Sequence, residues 1–200
     1  MKAHKLPKLS IQEYLQQELE KGIKYEYHNG EIYALAGSTL NHGLICGNAY
    51  STIRTGLEQQ KSNCIPLNSE IKLYIKASNS FVYPDTMVIC GGLDQAKEES
   101  NAICNPTLII EVLSKSTAVY DRGDKFHLYR SLPSFSEYVL IEQDRAIVDV
   151  HFKPQGSDLW KITRYQGMDQ AIQLESIGLA ISMRELYTNT DLADKSSHMP

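Results

Sequence analysis

Two short runs, residues 83–90 and 107–113, are rich in valine and isoleucine and bounded by Gly91-Gly92 and Asn105-Pro106, yet each gives one position to a carboxylate. Runs of this length and composition suit central strands covered on both faces. An unpaired carboxylate in such a strand costs several kcal/mol unless a cation or hydrogen-bond donors stand beside it. Whatever this chain folds into must therefore supply partners for Asp85 and Glu111.

The rest of the pattern surrounds these strands with helices and further strands. Ser10-Ile11-Gln12-Glu13 has the form of a capping box, so a helix is expected over about 11–20. Extended runs at 25–28 and 31–35 flank Asn29-Gly30, the strongest two-residue hairpin signal. Leu44, Ile45, Ala49, Thr52, Ile53 and Leu57 recur at three- and four-residue steps, which predicts an amphipathic helix over 41–60. Residues 70–75 alternate as a half-buried strand, followed by a turn at 76–80. A helix over 120–131 should end before Pro133, with strands at 137–141, 145–152 and 160–165 and a short helix at 182–187. This order, without internal repeats, reads as one α/β (α+β) domain over 1–191 with a mixed sheet, after a loose basic leader at 1–10 and before a polar tail at 192–200.

A net charge of −4 argues against a broad basic surface, so any contact with nucleic acid must be local. The sequence has no apolar run of membrane-spanning length and no apolar segment behind its basic start, so a cytoplasmic protein is expected. Cys46, Cys64, Cys90 and Cys104 are widely spaced and form no C-x-x-C pair; they read as small buried apolar side chains.

If the two acid-bearing strands are neighbours, Asp85 and Glu111 can share a hard cation such as Mg²⁺ or Mn²⁺, which takes oxygen ligands and commonly bridges to phosphate. The plainer alternative pairs each acid with an arginine or lysine, or has it cap a helix. Alternation puts position 113 on the same face as Glu111, but Leu113 stands where a lysine would complete the site. Lys125 is the candidate replacement, because Asp121, Lys125 and Tyr129 share one helical face. Its competing reading is a surface Asp121–Lys125 pair worth ~0.3–0.5 kcal/mol, and Lys115 is a weaker rival. A literal E-x-K at Glu70-Ile71-Lys72 comes in the wrong order, before Asp85, so Glu70 is either a third acid or a solvated side chain. His42 is open between a site residue and a helix cap, and Glu26 between a site residue and a cross-hairpin partner.

Tyr83-Pro84-Asp85, then Ile110-Glu111-Val112-Leu113-Ser114-x-Ser116-Thr117, then Tyr120-Asp121-Arg122-Gly123-x-Lys125-x-x-x-Tyr129 form an ordered set that resembles the Uma family of restriction endonucleases. The resemblance extends to Tyr25-Glu26-Tyr27-x-x-Gly30-Glu31-Ile32, Ala36-Gly37, His42, Asn48 and Leu186-Tyr187, nearly the whole chain. It implies a restriction-endonuclease-like fold, a mixed central β-sheet flanked by helices, often dimeric, with a nuclease site of the PD-(D/E)XK class. The motif aspartate maps to Asp85 and the glutamate to Glu111, while the strand lysine has no equivalent and is displaced to Lys125. On this reading Asp85, Glu111 and the Val112 carbonyl hold Mg²⁺ and Lys125 orients the water that attacks DNA, with Glu70, His42, Glu26 and Tyr129 in support. Two other expectations stand beside it: a catalytically silent nuclease-fold module for binding or assembly and, ranked last, action on RNA or a nucleotide, for which no aromatic-rich strand motif speaks.

Overall fold

The computed structural model describes residues 8–35 and 37–196, with side chains up to residue 193; most of the expected basic leader and Ala36 lie outside the described residues. The first helix, α1 (Ile11–Lys21), starts on the expected capping box: Glu13 N–H donates to Ser10 Oγ at 3.2 Å, and the Glu13 carboxylate accepts the Ser10 N–H at 2.7 Å. Strands β1 (Tyr25–His28) and β2 (Glu31–Ala34) form the hairpin, with His28 opposite Glu31. Asn29 and Gly30 both take positive φ, 48° and 101°, as a tight turn matched to strand twist requires.

Helix α2 (Leu40–Gln59) is followed by β3 (Ile65–Asn68), β4 (Lys72–Ile75), β5 (Ser80–Val82), β6 (Thr86–Ile89), β7 (Ala102–Ile103) and β8 (Leu108–Leu113). Then come α3 (Ala118–Tyr120), a π-helical turn at Asp121–Lys125, α4 (Phe126–Tyr129), β9 (Glu137–Glu142), β10 (Ile147–Phe152) and β11 (Lys161–Gln166). A hairpin of β12 (Ala171–Leu174) and β13 (Leu179–Ser182) precedes α5 (Met183–Leu186), and α6 (Asp191–Ser196) occupies part of the stretch expected to be tail. Among the described residues, no helix is long and apolar enough to cross a membrane.

The strands form a six-stranded sheet in the order β11-β10-β9-β8-β6-β3 and a five-stranded sheet in the order β2-β1-β5-β4-β7, besides the β12–β13 pair. The larger sheet is mixed: β8 runs parallel to β9 and antiparallel to β6. One of its faces takes the Ile45, Ala49, Ile53 and Leu57 stripe of α2, against Val88, Ile110, Val112, Val139 and Val148. The buried Ile and Leu side chains of that stripe are each worth roughly 1.5–3 kcal/mol. The opposite face, with Ile109, Leu113, Tyr138 and Leu140, packs on Tyr129 and Phe135. The smaller sheet is held to α1 by an aromatic cluster of Tyr14, Tyr27, Tyr74 and Phe81.

Glu137, fully buried at the start of β9, accepts the N–H groups of Glu175 and Ser176 at 3.0 Å each and the Ser176 hydroxyl at 2.6 Å, tying the β12–β13 loop to the large sheet. Glu137→Ala strands three donors and is expected to lower unfolding free energy by about 3 kcal/mol, read from urea denaturation. An unchanged midpoint would show that water replaces the carboxylate.

Three expectations need correction. The run at 83–90 is not one strand: only Thr86–Ile89 (β6) is extended, because Tyr83-Pro84-Asp85 is the link that carries the chain from β5 in the five-stranded sheet to β6 in the six-stranded one. The helix expected over 120–131 starts at Ala118 and widens into the π-helical turn before α4 ends at Tyr129. The cysteines are not four buried apolar side chains: Cys64 and Cys90 extend the antiparallel β3–β6 register by one pair and are joined by a disulfide, while Cys46 and Cys104 are free and only part-buried.

Candidate active site

β6 starts at Thr86, opposite Ile110, so β8 runs on past the end of its neighbour. The N–H of Val112 would be left without a strand partner there, and Asp85 Oδ2 accepts it at 2.8 Å. This bond fixes the Asp85 carboxylate beside β8. Within β8, Glu111 is buried; it accepts the Tyr129 hydroxyl at 2.7 Å, and Lys125 Nζ lies 2.9 Å from its Oε1.

The π-helical turn explains how Lys125 reaches this point. Such insertions widen one turn of a helix and recur at functional sites. Asp121 and Lys125 are both turned inward and buried, while Asp124 faces out. The Tyr138 hydroxyl holds the turn by donating to the Asp121 carbonyl at 3.0 Å, and Arg122 pins it to β10 and β9 through Asp149 at 2.7 Å and Glu142 at 3.1 Å. Asp149 also takes two bonds from Arg164. Burial pushes the Asp149 carboxyl up, but the two guanidinium groups hold it below its ordinary value. A depressed folded pKa means stabilisation that is present above the unfolded value of about 3.9 and is lost as pH falls through the folded one. Asp149→Asn should therefore be less stable than the wild type at pH 7, with the gap in urea midpoint closing on acidification. A gap that stays constant with pH would refute that account.

Lys125 Nζ is shared. Besides Glu111 it lies 3.3 Å from Glu26 Oε1 and 3.5 Å from Asp121 Oδ1. Glu26 arrives from β1 in the smaller sheet, with the Tyr120 hydroxyl at 3.3 Å and His28 Nε2 at 3.5 Å from its other oxygen. One lysine cannot neutralise these acids and Asp85 as well. Burial would raise Glu26, but Lys125 and His28 pull it down to about 2. Burial, with Asp85 and Asp121 nearby, pushes Glu111 up to about 8 in spite of Lys125. Burial would discharge Lys125, yet Glu111, Glu26 and Asp121 hold its pKa well above the ordinary value. The cluster thus holds more acids than its one lysine can neutralise, and burial relieves the excess by favouring the neutral form of Glu111, while Glu26 Oε1 faces the Lys125 ammonium.

A cleft of about 510 Å³ opens onto Asp85, Glu111, Val112, Asp121, Lys125 and His42, with the exposed Lys115 at its mouth. The His42 N–H does donate to the capping Thr39, but its imidazole turns to Asp85, Nε2 to Oδ2 3.4 Å. Burial alone would lower the His42 pKa, whereas Asp85 and the Val112 carbonyl raise it above its ordinary value.

The structure brings Asp85, Glu111, Lys125, Tyr129, Glu26, His42 and the Val112 backbone together. It does not bring Glu70, which is exposed and paired with Lys24 at 2.7 Å on the rim. Glu26 pairs with Lys125 rather than across its hairpin. Asp121, Cys46, Tyr120 and His28 were not singled out as site residues. Spacing offered a signal for two of them: His28 is two residues from Glu26 on one strand face, and Cys46 is one helical turn from His42.

Comparison with known proteins bears on the family and the fold. Two uncharacterized proteins of Synechocystis sp. are similar to the chain: one is 36% identical, covering 90% of this chain and 92% of the relative, and the other 34% identical, covering 82% and 92%. The crystal structure of a "putative nuclease" from Anabaena variabilis superposes with a TM-score of 0.70 at 18% identity over 90% of this chain and 98% of that one, so the two share a nuclease-like fold. The Uma2 family, described as "Putative restriction endonuclease", matches residues 11–184. With its mixed sheet flanked by helices, the chain belongs to the Uma2 family.

Proposed function

We propose that this chain is a divalent-metal-dependent endonuclease that hydrolyses DNA phosphodiester bonds. The observation that carries the reading is the meeting in one cleft of Asp85, from the junction between the sheets, with Glu111, whose carboxylate touches Lys125 Nζ at 2.9 Å. Family membership supports a nuclease. The donor set fits a hard cation: Asp85, Glu111 and the Val112 carbonyl supply oxygens, in a cleft with more acids than its single lysine can neutralise. Mg²⁺ or Mn²⁺ held there would acidify a water and offset the charge gathering on the phosphate.

The protein's own groups do the rest. Lys125, kept charged by its carboxylates, is placed to orient a water and to offset negative charge beside Glu111. Tyr129 fixes the Glu111 rotamer through its hydroxyl. Lys115 stands at the mouth, where a phosphate backbone would pass; such local contacts suit a chain of net charge −4. A two-fold pair would present one such cleft to each strand of a duplex, so the proposed working form is a homodimer.

The test is incubation of supercoiled and linear DNA with the wild type, Asp85→Ala and Glu111→Ala in Mg²⁺ or Mn²⁺. Cleavage by the wild type that both substitutions abolish is the expected result. Cleavage that survives both would sink the assignment, and no cleavage with either metal while DNA still binds would favour a silent binding module.

A further inference from the structure

His42 and Cys46 lie one turn apart on α2, the spacing by which a helix presents two ligands to one ion. Cys46 Sγ lies 3.5 Å from His42 Nδ1, Asp85 Oδ2 lies 3.4 Å from His42 Nε2, and the ligand atoms of all three residues fall within 4.8 Å of one another. A tetrahedral zinc ion, with bonds of about 2.0–2.3 Å, has ligand-to-ligand edges of about 3.3–3.8 Å. These two contacts use opposite ring nitrogens, of which one ion takes only one, so the closeness of a single ligand atom from each residue, all within 4.8 Å, is the measure of fit, and the remaining closure is about 1 Å.

We infer that His42, Cys46 and Asp85 form a binding site for a zinc-class transition-metal ion, with a fourth position open to the cleft. The set is nitrogen, sulfur and oxygen, three protein ligands and one vacancy, which is zinc chemistry; Mg²⁺ selects oxygen alone. The Val112 carbonyl acts on the imidazole, the kind of backbone partner that fixes the orientation of a metal-bound histidine. Burial, then the Asp85 and Glu111 carboxylates, keep the metal-free Cys46 thiol protonated. A dication that binds there displaces this proton to solvent. The site shares Asp85 with the proposed Mg²⁺ site, and only this overlap rests on the nuclease reading.

Cobalt(II) reports such a site directly. Titrating Co²⁺ into the full chain should give one equivalent of tetrahedral visible absorption together with a sulfur-to-cobalt charge-transfer band, and Zn²⁺ should bleach both. Cys46→Ser should abolish the charge-transfer band, and His42→Asn and Asp85→Asn should each weaken cobalt binding at least about tenfold. Cys104→Ser, which changes the other free thiol, should retain the full spectrum. Circular dichroism establishes that each variant is folded. Absence of the charge-transfer band in the wild type, or its persistence in Cys46→Ser, would overturn the assignment. None of these readouts needs DNA cleavage: a protein that gives the band but never cuts keeps this site and loses the nuclease reading, and one that cuts without the band does the reverse.

Discussion

Glu111→Gln is expected to lower Mg²⁺-dependent DNA cleavage by about three orders of magnitude while leaving the protein folded. A cation at a phosphoryl centre supplies several kcal/mol of transition-state stabilisation, and about 4 kcal/mol corresponds to a factor of roughly 10³. The amide keeps the size of the acid and still accepts the Tyr129 hydroxyl, but it cannot offer a charged oxygen to the ion. Stability should hardly suffer, because burial already drives Glu111 toward its neutral form. The check is cleavage rate and thermal unfolding on one preparation; an unfolded variant would leave the rate uninterpretable, which is why glutamine rather than alanine is the informative change. Cleavage within tenfold of the wild type in a folded Glu111→Gln would remove Glu111 from the centre.

Lys125→Met should instead unfold the protein easily, at a cost of about 3–5 kcal/mol, since it leaves Glu26, Glu111 and Asp121 buried together without their cation. The sign of its pH dependence sets this loss apart from a simple packing defect. With no cation, Glu26 loses its main lowering partner, and Glu111 and Asp121, already above their ordinary values, rise further, so the folded state binds more protons and stability falls as pH rises above the unfolded values near 4. Lys125→Met should therefore gain stability relative to the wild type between about pH 7 and pH 5, measured by urea midpoint. Glu26→Gln added to Lys125→Met should recover part of the loss. A pH-independent deficit would mean that the aliphatic stem, not the charge, is what matters.

Local chemistry made much of this molecule readable from its sequence. Ser10 with Glu13 and Asn29 with Gly30 each satisfy their own backbone within a few residues, and α2 declares its buried stripe by spacing alone. Glu111 stood out because a carboxylate in an apolar strand needs an explanation, and Asp85 on the same expectation, although it lies in the link before β6. What stayed hidden depends on partners far away in the chain. Pro66 disguised β3, since proline is tolerated in a strand only at an edge such as this one. The Cys64–Cys90 bond follows from the β3–β6 register, which no cysteine spacing discloses. The β12–β13 hairpin had its alternation, Ile172 with Leu174 and Leu179 with Ile181, but its Glu175–Gly178 loop is anchored by the distant Glu137. Lys125 could be nominated as a stand-in for the absent strand lysine, yet its contact with Glu26 and the π-helical turn that delivers it depend on two sheets meeting.

That meeting, hinged on Tyr83-Pro84-Asp85, has a bearing on biosynthesis. Glu26 leaves the ribosome about a hundred residues before Lys125, and Glu111 lies between them in order of synthesis. Until the later strands are made and closed against the earlier ones, the nascent polypeptide carries scattered charges and no centre. On the proposed reading, DNA-cutting chemistry is withheld from every unfinished copy and is lost again as soon as thermal opening parts the two sheets, so the cell meets this potential as an all-or-none property of the completed fold.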